Sequence, residues 1–183
     1  MPEARHLSYP ALAQRSVGAS QSYTINQLIA RYIIMSHTTS YYHIVFRTYQ
    51  SERSIAEEHE KDLYAYINGI SNNLNCKIYR INGMPDHIHI FVSLPATMSL
   101  SEYVQRVKTA SSKWLKANPN FPDFHGWGHE YAGFSYNKRD KDMIVNYIKK
   151  QKEHHRKTSF TEEYRSFLKV NGITIDERYF LVD

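Results

Sequence analysis

The stretch KIYRINGMPDHIHIFVSL, residues 77–94, decides the fold. Lys77 to Asn82 and His87 to Leu94 are strand-like runs around Gly83-Met84-Pro85-Asp86, a turn sequence, so together they read as a β-hairpin. Strand side chains alternate between faces, which puts His87 and His89 on one face and Ile88, Ile90, Val92 and Leu94 on the other. The apolar set needs a layer of helices to cover it. The two histidines are then expected on the open face of the sheet, close enough to share a cation.

The flanking sequence supplies the rest of the layer. Tyr41 to Thr48 (YYHIVFRT) is β-branched and aromatic, hence a strand. Glu57 to Asn73 carries Leu63, Tyr66, Ile67 and Ile70 at helical spacing. Ser99 opens a helix to about Ala117, with Glu102 placed for a capping box. Asn118 to His129 is a Pro- and Gly-containing loop, and Tyr131 to Tyr136 is a short aromatic strand. Asn137 is expected to cap a helix reaching about His155, and Ser159 with Glu162 caps another ending at Asn171-Gly172. The order β-α-β-β-α-β predicts an α+β, ferredoxin-like or RRM-like split βαβ sandwich: an antiparallel sheet, helices on one face and an added C-terminal helix.

Composition bounds the function. The 183 residues are 42% hydrophobic, enough for a real core, which excludes global disorder. Apolar runs are too short for a membrane span, and no signal-peptide core is seen at the N-terminus. A single cysteine, Cys76, excludes an internal disulfide or a cysteine-based zinc site and suits a reducing cytoplasm. Residues 1–34 contain no Lys and no Asp and are expected to form a partly disordered extension, in which Ile25, Leu28, Ile29, Tyr32 and Ile33 share one helical stripe. The folded domain is then expected over 35–183. No phosphate-binding loop, dinucleotide fingerprint or serine nucleophile elbow is present, and His125 and His129 flank Gly-Trp-Gly rather than a zinc-protease helix.

The charge is concentrated. Between Lys138 and Lys157 eight Lys or Arg face three acids, a net +5 that equals the charge of the whole chain. Within this run Tyr147 and Gln151 are four apart, on one helical face, with His154 and His155 one turn further. Arg139, Lys149, Lys150 and Lys152 are candidates for following a nucleic-acid backbone. Tyr131, Phe134 and Tyr136 are candidates for stacking unpaired bases, ordinary core packing being the competing assignment for Phe134.

Four segments occur in a telling order: Met84-Pro85-Asp86-His87-Ile88-His89-Ile90; Trp127 with Tyr131-Ala132-Gly133-Phe134-Ser135; Asn146 to His155; and Asp176-Glu177-Arg178-Tyr179. Together they resemble the single-tyrosine HUH transposases of small insertion sequences, over about Ser36 to Phe180. The His-apolar-His motif is shared with replication initiators and relaxases, whereas the downstream Tyr and Gln narrow the resemblance to these transposases. It implies that His87, His89 and Gln151 hold a metal and that Tyr147 is the nucleophile. It also implies a 5′-phosphotyrosine intermediate, formed and rejoined without ATP on single-stranded DNA, at hairpin ends of the protein's own element. A homodimer is implied as well, with composite sites in which Tyr147 reaches the histidines of its partner.

Two imidazoles and a carboxamide oxygen would suit Mg²⁺ or Mn²⁺. A phenol ionising near pH ~10 is a weak nucleophile, so a neighbouring cation and Lys149, Lys150 and Lys152 are expected to favour the phenolate. The rival reading is a non-catalytic or domesticated nucleic-acid binder on the same fold. An RNA-reading sheet would carry aromatic residues on its central strands, where this chain has His87 and His89.

Overall fold

The structure, a computed structural model, describes residues 24–25 and 38–183. The expectations for residues 1–22 and for the stripe beyond Ile25 lie outside the described residues. Contacts divide the chain into two units, Met1–His37 and Thr38–Asp183, and the second contains everything that follows.

Four strands form one antiparallel sheet: β1 (Ser40–Arg47), β2 (Lys77–Met84), β3 (His87–Leu94) and β4 (Ala132–Tyr136), in the order β2-β3-β1-β4. Among the described residues five α-helices accompany them: α1 (Glu60–Asn73), α2 (Leu100–Ala117), α3 (Lys141–Lys149), α4 (Gln151–His154) and α5 (Phe160–Val170). This is the split βαβ sandwich expected from the sequence, with β1 and β3 central. The hairpin is tighter than expected, because β2 runs to Met84 and only Pro85 and Asp86 turn the chain. Gly83 makes that turn possible. A Cβ there would sit 2.2 Å from the His87 carbonyl oxygen and 2.9 Å from the Ile88 Cα, distances that only glycine avoids.

One sheet face is the main core. Ile44 and Phe46 of β1 and Ile88, Ile90, Val92 and Leu94 of β3 pack against Leu63 and Ile67 of α1 and Tyr103, Val104, Val107 and Leu115 of α2. These residues are nearly inaccessible to water, so truncating one large aliphatic side chain to Ala would cost about 2–5 kcal/mol.

The other face is not open. Tyr41 and Phe91 pack under Ile144 and Ile148 of α3, while Val45, Ala132 and Phe134 pack under Phe160 and Tyr164 of α5. The helices after β4 therefore roof the histidine face, and His87 and His89 are 1% and 0% exposed. An aromatic strand offered to bases is likewise corrected. Phe134 belongs to the packed layer, Tyr136 packs beside it, and Tyr131 packs against the main core.

The expected helix from Asn137 to His155 is also broken into pieces. Asn137 and Asp140 form a reciprocal capping box around a short 3₁₀ turn at Lys138–Asp140, α3 follows, and Lys150 interrupts it with φ −94° and ψ 13°. The carbonyls freed at the break are taken by a distant side chain. Asn82 Nδ2, on β2, donates to the Ile148 oxygen at 2.9 Å and to the Lys149 oxygen at 3.3 Å.

Candidate active site

His87 and His89 lie on the roofed face, as their two-residue spacing dictates, and His43 joins them from β1. Strand alternation puts His43 on the same face as Tyr41 and Val45. His43 Nε2 lies 3.0 Å from His89 Nδ1. The helices complete the group. Tyr147 comes from α3, Gln151 from the turn restarted after the break, His155 from just beyond α4, and Glu163 from α5. Phe160 stacks on His87 with ring centroids 4.4 Å apart, and Phe167 meets His43 edge-on at 5.3 Å.

The Nδ1 side of each clustered imidazole is engaged. Asp86 Oδ1 is 2.7 Å from His87 Nδ1, the Thr158 carbonyl is 2.8 Å from His155 Nδ1, and His43 holds His89 Nδ1. All three Nε2 atoms therefore turn inward. Glu163 Oε2 faces them at 3.1 Å (His155), 3.4 Å (His89) and 3.8 Å (His87). Its other oxygen, Oε1, accepts from the Tyr147 hydroxyl and, at 3.0 Å, from Gln151 Nε2.

Electrostatics follow from this packing. Burial pushes His89 down to about 4, against the pull of Glu163, and drives His43 well below the ordinary histidine value. Both are thus neutral at pH 7. Burial alone would raise the Glu163 carboxyl, but the hydrogen bonds from His155 and Tyr147 and the nearby His89 imidazole outweigh it and hold the group far below the usual carboxylate range. For His155 burial is outweighed by the Glu163 contact, so its pKa is raised. Burial first, and then the Glu163 carboxylate, raise the Tyr147 phenol. That corrects the expectation of a lysine-favoured phenolate: the immediate neighbour of the hydroxyl is an anion.

The donor set suits a divalent cation. One ligand atom each from His87, His89, His155 and Glu163 lie within 4.8 Å of one another. Two buried polar atoms beside them, His89 Nε2 and Gln151 Oε1, have no hydrogen-bond partner. The second-neighbour pattern, a carboxylate or carbonyl on the far nitrogen of a histidine, is that of a metal ligand held in one tautomer.

The basic residues separate into two groups. Arg139, Lys149 and Lys150 are exposed, and Lys150 and Lys157 line a cavity of about 500 Å³ that opens onto Tyr147. Lys152 instead pairs with Glu60 at 2.9 Å and Glu57 at 3.6 Å, so it is not a free cation for a phosphate.

Residues 36–151 match the family described as Transposase IS200 like, well over half of the chain. The chain is an IS200-like transposase. The match ends at Gln151, so His155 and Glu163 of this transposase fall beyond it. Among solved structures, one described as a candidate transposase from Deinococcus radiodurans is 18% identical, covering 64% of this chain and 94% of its own, with TM-score 0.49. Another, described as a REP-associated tyrosine transposase bound to a REP hairpin, is 17% identical, covering 66% of this chain and 74% of its own, also with TM-score 0.49. No curated protein sequence matches the transposase. Among the described residues no helix is long and apolar enough to cross a membrane.

Proposed function

We propose that this transposase cuts and rejoins single-stranded DNA through Tyr147, at hairpin ends of its own element. The observation that carries the reading is the shared carboxylate: Glu163 binds the Tyr147 hydroxyl through one oxygen and faces three inward imidazole nitrogens with the other. Nucleophile and cation site are thereby held side by side, which is the placement that phosphoryl transfer requires.

His87, His89, His155 and Glu163 would hold the metal, with Gln151 at its edge. When bound, it would supply Lewis-acid polarisation of the scissile phosphate. Three imidazoles and one carboxylate suit Mn²⁺ or another transition ion better than Mg²⁺, which prefers an all-oxygen shell. In the cut, Tyr147 Oη bonds to phosphorus and the P–O3′ bond breaks. The electron pair leaves on O3′, and the phenol proton, taken up by Glu163 Oε1 and relayed through water, is delivered to that oxygen, so that the 3′-hydroxyl forms and the carboxylate is restored. Rejoining is attack by a 3′-hydroxyl on the phosphotyrosine, which needs no ATP because the bond energy is retained. Arg139, Lys149 and Lys150 would follow the DNA backbone.

For assembly we propose the arrangement that a single chain supports. Tyr147 already stands over its own His89 through Glu163, so the site does not need the tyrosine of a partner, and a homodimer would carry two such sites. The test is cleavage of labelled single-stranded oligonucleotides from the flanking DNA with Mn²⁺. Wild type is expected to cut, and His87→Ala/His89→Ala is expected to be inactive; unchanged cutting by that double variant would contradict the metal site. Under subunit exchange, a mixture of the double variant with Tyr147→Phe is expected to stay inactive. Recovery would instead place the tyrosine on the partner.

A further inference from the structure

A second cluster lies on the same sheet face, at the end of β1. Arg47 pairs directly with His87 across the ladder, and residues paired in this way project to one side. Its guanidinium is buried, with the residue 2% exposed, and it forms an ion pair with the side chain of Asp183. Nη1 serves that pair and the Thr48 carbonyl, whereas Nε and Nη2 have no hydrogen-bond partner. Buried guanidinium N–H groups without acceptors are rare in folded proteins.

The backbone adds two donors to the same carboxylate. The Gln50 amide donates to Asp183 Oδ2, and the His129 amide donates to Oδ1 at 3.0 Å. Gln50 and Ser51 adopt left-handed backbone, φ 49° and 55°, a costly conformation for these residue types, in the loop that presents the Gln50 amide. Lys108 holds the opposite loop through the carbonyls of Gly128, His129 and Glu130. Gly128 leaves the room, because a Cβ there would lie 3.0 Å from Asp183 Oδ1 and 3.1 Å from Arg47 Cγ. Leu181, two residues before the aspartate, is also left-handed at φ 55°. Together these groups form an anion cradle with spare donors. A carboxylate engages one guanidinium nitrogen, and an anion with more acceptor oxygens could take the idle edge as well.

We propose that this cradle binds a backbone phosphate of the DNA strand, and that Asp183 occupies it when DNA is absent. The proposal rests on the reading that single-stranded DNA is the substrate. DNA and the C-terminal segment then compete for Arg47, on the strand pair that carries His87. Engaging the phosphate releases the segment from Asp176 to Asp183, and a free segment opens the cradle to the strand.

The test uses the full chain, a labelled single-stranded oligonucleotide of about 20 nucleotides, and a chelator so that nothing is cut. Arg47→Gln should weaken binding at least about tenfold and reduce the salt dependence by about one phosphate contact. Asp183→Asn should tighten binding severalfold. In the wild type, hydrogen exchange at residues 178–183 should rise when the oligonucleotide binds, a readout that does not depend on any variant folding. Binding with unchanged exchange there, or an Asp183→Asn protein that melts lower without binding more tightly, would make Asp183 a structural latch and overturn the cradle alone. Failure of the wild type to bind the oligonucleotide would overturn the substrate reading and the cradle together.

Discussion

Glu163 divides two tasks between its two carboxylate oxygens, holding the tyrosine hydroxyl with one and the imidazole cluster with the other. Glu163→Gln removes the charge and keeps the shape. It should lower Mn²⁺ affinity by about 10–100-fold in calorimetry, the scale found when a group in or next to a metal's ligand shell is lost. Equal affinity would leave the carboxylate as a tether for Tyr147 only. The residues that sequence could find were those with a short-range signature: His87 and His89 two apart on a strand, and Tyr147 and Gln151 four apart on a helix. His155, four residues after Gln151, shared that helical signature but was given no role, and His43 and Glu163 lacked one. For Glu163 a signal existed nonetheless, since it is the acid within the buried stripe formed by Phe160, Tyr164 and Phe167 on α5. A charge at an apolar stripe position requires a partner, and the partner here is the histidine cluster.

At the scale of elements, local signals were read correctly and non-local ones were not. Ser159 and Glu162 cap α5 reciprocally, because capping depends on residues three apart, whereas at Ser99 only half of the expected box forms: Ser99 accepts from the Glu102 amide, and the Glu102 carboxylate accepts from Arg106 instead. The break at Lys150 was invisible because its cause is Asn82, on another strand, whose amide caps the freed carbonyls. That contact sets the turn on which Gln151 is buried beneath Glu163. Asn82→Ala should therefore cost about 1–3 kcal/mol in urea unfolding, the cost of leaving buried carbonyls without a donor. Cleavage should fall with it, because Gln151 and His155 lie beyond the break. A variant as stable as wild type would show that water replaces the amide and that the break is set elsewhere.

The whole domain is a sandwich in which both sheet faces are covered, one by α1 and α2 and the other by the helices after β4. The split βαβ arrangement followed from the order of the elements, and the apolar face from the two-residue period of β3. The roof did not follow, since nothing in the period of β3 distinguishes a solvated histidine face from one packed under later helices. That roof is what places Tyr147 beside the histidines of its own chain and makes the site a buried, preorganised one. The central claim, that Tyr147 is the atom-bonding nucleophile of this site, has a direct measurement. Wild-type protein is incubated with single-stranded DNA from the flanking sequence and Mn²⁺, the covalent adduct is digested, and the nucleotide-bearing peptide is located by mass spectrometry. The account predicts the nucleotide on Tyr147, with no adduct from Tyr147→Phe; a nucleotide on Tyr131 or Tyr136, or an adduct of normal yield from the variant, would contradict it.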